Sequence, residues 1–190
     1  MIEAMAGAMA GAGKTARAAK RLDARATHLE MLSPPPVRVP MPLGPHLAVL
    51  RVKEIPLAFY RYLYEQVGRA SHWEKHRNLG DEALSAIVHA EGTEIRVLYV
   101  DGAPAGFFEL DLSRLPDEAE IRYFGLTPDF QGRGLAKFFL SEAVFAAFAH
   151  GPSRLAIQTC TLDSPRALQL YQRIGFNPYA WSQEKVTPWL

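Results

Sequence analysis

Cysteine is nearly absent: Cys160 is the single one in 190 residues. One thiol excludes an internal disulfide and any zinc site built on several cysteines. Its place in a β-prone apolar run points to a buried, inert thiol rather than a nucleophile. Long apolar runs are missing as well, none approaching the ~20 residues a membrane helix needs. Charge of one sign is not in excess, since 21 Lys and Arg stand against 20 Asp and Glu for a net charge of +1. No basic field argues for DNA or RNA as a partner. A secretory signal is disfavoured because Lys14, Arg17, Lys20 and Arg21 interrupt any apolar segment near the start, so the expected location is cytoplasmic. What the chain does have is a 48% share of hydrophobic residues, enough to bury one sizeable core.

The first 45 residues differ from the rest. Residues 1–26 are rich in alanine, glycine and basic side chains, and read as a mobile arm or a loosely attached helix. Pro34, Pro35, Pro36, Pro40, Pro42 and Pro45 then predict an extended, semi-rigid linker. A single domain over residues 46–190 follows. Residues 8–15 (Ala-Met-Ala-Gly-Ala-Gly-Lys-Thr) match a relaxed phosphate-binding P-loop. That motif works only behind an anchoring hydrophobic strand, and none precedes it, so a chance match in a small-residue stretch is the better reading than nucleotide hydrolysis with Lys14 and Thr15.

From His46 onward the periodicities alternate. Residues 47–52 read as a strand. Tyr60, Leu63, Tyr64 and Val67 mark the buried face of a helix that stops near Gly68. Residues 81–90 predict a short helix, and residues 94–100, the Asp101-Gly102 turn and residues 105–112 predict a β-hairpin. His72 and His76 flank Glu74, but the order is not His-Glu-x-x-His and no third ligand is evident, so no metal site is expected and both histidines are read as surface residues.

The most informative stretch is residues 126–136, Leu-Thr-Pro-Asp-Phe-Gln-Gly-Arg-Gly-Leu-Ala. Residues 120–126 are rich in β-formers. From Gly134 to His150, Leu135, Phe138, Phe139, Ala143 and Ala146 recur at helical spacing. A strand therefore runs into a helix through a glycine loop, where free N–H groups and the positive end of the helix dipole suit a phosphate. On the loop alone, an ordinary turn explains the glycines equally well. Residues 131–136 fit the Gln/Arg-x-x-Gly-x-Gly/Ala signature of the GNAT superfamily, the Gcn5-related N-acetyltransferases. Residues 154–161 read as the next strand, and residues 164–176 resemble the family's second hallmark, Ala-x-x-Leu-Tyr-x-x-x-Gly-Phe. Two motifs in the right order are far more specific than one, and the resemblance extends over residues 46–187.

The resemblance implies an α/β fold with a mixed central sheet of six to seven strands, about four flanking helices and central strands that splay. It implies acetyl-CoA as co-substrate and direct transfer of the acetyl group to a primary amine in a ternary complex. Main-chain groups of Phe124, Gly125 and Leu126 would pair with the pantetheine arm like an added strand. Amides of Gln131, Gly132, Arg133, Gly134, Leu135 and Ala136 would hold the pyrophosphate, with Arg133 adding charge. Ser164 stands where many relatives carry asparagine, which puts that one coenzyme contact in doubt. Glu120, eleven residues before Gln131, sits at the offset of the base in histone-acetyltransferase-like members. Glu109 is the competing base, and an exposed, structural role for either stays open. Tyr171 is the candidate general acid near the coenzyme sulfur, or a packing residue. Phe59, Tyr60, Tyr62, Tyr64 and Trp73 fall where relatives line the acceptor cleft, although aromatics there serve equally as core. A non-catalytic acyl-CoA-binding module on the same fold is the alternative function. The expected partner is a small-molecule amine or a peptide acceptor, with no nucleic acid and no membrane; the acceptor's identity and the oligomeric state, monomer or homodimer, are not legible.

Overall fold

The computed structural model describes residues 20–189, and the P-loop-like residues 8–15 lie outside them. The described residues form seven strands: β1 (Leu22–Met31), β2 (Leu47–Arg51), β3 (Thr93–Val100), β4 (Ala103–Asp111), β5 (Glu118–Leu126), β6 (Arg154–Cys160) and β7 (Asn177–Val186). They form one sheet in the order β2-β3-β4-β5-β6-β1-β7. Every pairing is antiparallel except β5 with β6. Helices α1 (Leu57–Gly68) and α2 (Asp81–Val88) cover one face, with a core of Tyr60, Leu63, Ile95, Val97 and Phe107. Helices α3 (Leu135–Phe148) and α4 (Ala167–Ile174) cover the other, over Phe108, Leu110, Ile121, Phe139 and Phe176. Successive side chains of a strand point to opposite faces, so β4 feeds both cores: Phe107 enters one and Phe108 the other.

The anticipated fold is therefore present, with seven strands and four helices, but the boundary drawn at residue 45 needs correction. The stretch taken as arm and linker contains β1, which fills a slot between β6 and β7. Its signal is weak because Ala24 and Ala26 are its buried residues in the first half, and the register slips between His28 and Leu29, which breaks the alternation. Beyond β1, the proline-rich residues lie along α3. Val39 N–H donates to Ser141 Oγ at 3.0 Å, and the Arg38 guanidinium lies 4.5 Å from the centre of the Phe145 ring.

Two features of β5 position the site. An extra residue, Arg122, is inserted where Glu109 faces Tyr123 but Leu110 faces Ile121, and such a bulge bends a strand and increases its twist. At the same point the pairing with β6 ends, the last partners being Ile121 and Ile157. Residues 122–126 consequently leave β6 and open a wedge in the middle of the sheet.

Candidate active site

The wedge is the floor of a cleft of ≈ 1250 Å³ that reaches both faces of the sheet. One end of it is the glycine loop. A short 3₁₀ turn, Pro128–Phe130, leads from β5 into residues 131–134. Gly132 and Gly134 have φ of 74° and 76°, and a Cβ built on either meets nothing within 4 Å. These glycines answer a conformational demand rather than crowding, and the space before them is the cleft itself. Gly134 is the N-cap of α3, with no side-chain cap, so the first-turn amides of that helix face the opening unpaired. Gln131 does not reach outward: its Nε2 donates to the Leu126 carbonyl at 3.1 Å and ties the loop closed.

Most residues expected at the donor end are brought together there. Phe124, Gly125, Leu126, Gln131, Gly132, Gly134, Leu135, Ala136, Ser164 and Tyr171 all line the cleft. Arg133 does not; its guanidinium lies 4.9 Å from the centre of the Phe130 ring, and the lysine one helical turn on, Lys137, lines the cleft instead. The cationic role expected of Arg133 is therefore open to Lys137, which lies in the first turn of α3 and lines the cleft. Ser164 does not cap a helix beginning at once, since α4 starts at Ala167 and Ser164 Oγ accepts only the Arg166 N–H at 3.4 Å. Asp163 holds that turn, accepting from Thr159 Oγ1 and from Cys160 N–H, both at 2.8 Å. Cys160 is half-buried rather than buried, and burial pushes its thiol up, away from a reactive thiolate. Tyr171 is buried at the edge of Phe124, and burial followed by the Asp163 charge raises its hydroxyl, which keeps it a proton donor.

The other end, where the sequence places the acceptor, is walled by α1, residues 69–80 and β5. The five aromatics divide: Tyr64 and Trp73 line the cleft, Tyr60 is wholly buried, Phe59 is half-buried against the core under α1, and Tyr62 is exposed. Trp73 lies against Gly68, where any side chain would collide with its ring, and its ring centre is 4.7 Å from that of Tyr123. His72 adopts φ 57°, a left-handed conformation uncommon outside glycine. Trp189 secures this segment from the C-terminal side, donating its N–H to His72 Nδ1 at 3.1 Å and its Nε1–H to the Trp73 carbonyl at 2.8 Å.

The candidate bases separate sharply. Glu120 lines the cleft with its side chain 28% exposed, 3.3 Å from the Arg114 guanidinium. Glu109 is 0% exposed and accepts a hydrogen bond from Tyr60 Oη at 2.7 Å, and burial raises it to about 7. Arg122 pairs with Asp111 and reaches Glu109 only at 3.8 Å. His76, read as a surface residue, is buried at 6% exposure, its Nδ1 lying 2.6 Å from Tyr60 Oη. Burial, then the Arg122 and Lys75 charges, lower it to about 4, so its ring is neutral. Sequence spacing carries no signal for this contact, because Tyr60, His76 and Glu109 meet only through the packing of α1 on β4. Among the described residues no group of three or more His, Cys, Asp or Glu side chains is gathered to hold a metal, and no helix is long and apolar enough to cross a membrane.

Comparison with known proteins agrees with this geometry. The model of the acetyltransferase (GNAT) family matches residues 51–176. An uncharacterized N-acetyltransferase of Methanocaldococcus jannaschii is 29% identical over 99 residues, covering 50% of this chain and 42% of that protein. A putative GNAT-family acetyltransferase structure from Novosphingobium aromaticivorans superposes with a TM-score of 0.60 at 16% identity, over 87% of this chain and 65% of that one. The aminoglycoside N-acetyltransferase AAC(6')-Iy, solved in complex with CoA, gives 0.52 at 21% identity, over 72% of this chain and 91% of that one. The chain thus spans less than half the length of the archaeal relative and about two thirds of the bacterial one.

Proposed function

The chain belongs to the acetyltransferase (GNAT) family, and from that membership we propose that it transfers an acetyl group from acetyl-CoA to a primary amine by direct attack within a ternary complex. One observation carries this reading: the β5–β6 wedge and the open amide loop before α3 lie in the same cleft as the aromatic acceptor wall.

The residues present suit the coenzyme. The free edge of residues 122–126 offers main-chain groups to an extended amide chain. The start of α3 offers unpaired N–H groups to a pyrophosphate, and Lys137 adds charge. The bound coenzyme would supply an activated thioester; the chain supplies position and protons. Tyr171 directs its hydroxyl toward the leaving sulfur, and burial, then the Asp163 charge, keep that hydroxyl protonated so that it can hydrogen-bond the departing thiolate. Trp73, Tyr64 and Tyr123 exclude water and present ring faces to an amine. A base must take the amine's second proton, and the candidates are Glu120, which lines the cleft beside Glu74 and Asp111, and Glu109, buried beneath it.

The decisive assay is thiol release from acetyl-CoA across a panel of amines. Release with at least one amine is expected; tight coenzyme binding with no release from any of them would favour a non-catalytic acyl-CoA module. Gly134→Val separates the donor site from the acceptor site. It forces a β-branched residue to φ near 76°, costing about 1–2 kcal/mol and projecting into the phosphate space. Calorimetry should show coenzyme binding weakened about tenfold or more; unchanged affinity would refute the placement.

A further inference from the structure

Glu109 is buried beneath the acceptor wall and does not line the cleft, yet it is not isolated from it. Tyr60 Oη donates to Glu109 Oε2 at 2.7 Å. A hydroxyl has one proton, so Tyr60 can only accept from His76 Nδ1, 2.6 Å away. The hydrogen of the neutral imidazole therefore sits on Nδ1, and Nε2 carries a lone pair. His76 lines the cleft, its backbone N–H fixed by Tyr64 Oη at 3.2 Å and its ring stacked on Tyr64 with centres 5.5 Å apart.

We propose, resting on the acetyl-transfer reading, that His76, Tyr60 and Glu109 form a proton relay in which the acceptor amine's proton enters at His76 Nε2 and comes to rest on Glu109. As the amine nitrogen bonds to the acyl carbon, its N–H breaks toward Nε2. Nδ1–H passes to Tyr60 Oη, and the Tyr60 proton passes to Glu109 Oε2. Histidine and tyrosine end neutral, and the carboxylate becomes a carboxylic acid. Every hydrogen bond in the chain has reversed its direction, and none has been lost. Running the three transfers backward after the amide departs returns the proton to water in the cleft.

The surroundings fit each member to its part. The charged and titratable groups facing the relay are Tyr64 from α1, Lys75 and Arg77 from the wall segment, Asp111 from β4, and Glu120, Arg122 and Tyr123 from β5. Lys75 and Arg122 disfavour an imidazolium, so His76 passes a proton rather than storing one. Glu109 stores one readily near neutrality, since burial, the largest effect, outweighs Arg122 and the Tyr60 hydrogen bond. Glu120, held by Arg114 at the mouth, is then free to contact the acceptor without acting as base.

The test uses the full chain with Tyr60→Phe, Glu109→Gln and Glu120→Gln. Tyr60→Phe keeps the ring and breaks the relay; kcat should fall about 100-fold while coenzyme affinity by calorimetry stays unchanged, which also verifies folding. Glu109→Gln should remove the rising limb of the kcat/KM pH profile near 7. Nitrogen-15 NMR of the unaltered protein should show His76 protonated at Nδ1 and bare at Nε2 at neutral pH. The opposite tautomer overturns the relay, as does kcat within twofold of the unaltered protein in Tyr60→Phe and Glu109→Gln while Glu120→Gln is inactive. No thiol release by the unaltered protein with any amine overturns instead the acetyl-transfer reading, and does so without any variant.

Discussion

At the scale of single residues, Glu109 and His76 make opposite contributions to stability over nearly the same pH range. Glu109 is raised from 4.5 to about 7, so between those values the folded state holds a proton that the unfolded state has released, and stability falls as pH rises. His76 is lowered from 6.5 to about 4, so there the unfolded state holds the extra proton, and stability falls as pH drops. Each effect amounts to about 3 kcal/mol, and in the intact protein they nearly cancel. Replacing one should expose the other. Chemical denaturation of Glu109→Gln should show stability rising between pH 4 and 6.5, and that of His76→Gln should show it falling between pH 4.5 and 7. A flat profile in both variants would deny the burial argument. That Gly132, Gly134 and Tyr171 would meet in one cleft was legible because each belongs to a short motif whose spacing encodes its local geometry. The Tyr60–His76–Glu109 contact was not legible. It joins residues as far as 49 apart in the chain through the register of a helix on a sheet, which one sequence does not display.

At the scale of elements, the acceptor wall is held from outside. Residues 69–80 contain the left-handed His72 and no helix or strand of their own, so their shape depends on what packs on them. Thr187 N–H donates to Glu74 Oε2 at 2.6 Å, Trp189 bonds the backbone at Trp73, and the Arg77 guanidinium lies 5.0 Å from the Trp189 ring centre. Trp189→Ala removes a hydrogen bond and cation–π contacts together, so acceptor KM should rise about tenfold. Coenzyme affinity should stay within twofold, because the contacts of Trp189 are with Arg69, His72, Trp73 and Arg77 and not with residues 131–136. Equal losses at both ends would mean that the tail supports the whole cleft. Strands β2 to β6 and the helices could be read from their patterns of apolar and β-forming residues, whereas β1, internal but with small buried residues and a slipped register, could not. β7 could not: it is an edge strand with most residues exposed and Pro178 near its start, a composition that resembles a loop.

For the whole molecule, the position of β1 matters most. It makes all of its sheet contacts with β6 and β7, at the far end of the sequence. A truncation that begins at residue 46, where composition suggests a domain boundary, would leave β6 and β7 facing an empty slot. Leu29 and Met31 would be lost from the core beneath α3 and α4. Such a protein should fail to give a cooperative thermal transition by circular dichroism; a melt within a few degrees of the full chain's would show that β1 is dispensable.

The same slot fixes the order in which the fold can close during synthesis. The meander of β2 to β5 pairs as it emerges, neighbour on neighbour. Of the described strands β1 is made first, yet one of its edges stays unpaired until β6 is made and the other until β7 follows. A growing chain therefore carries a waiting strand behind a stiff proline tether, and the sheet becomes whole only when its oldest and newest segments meet.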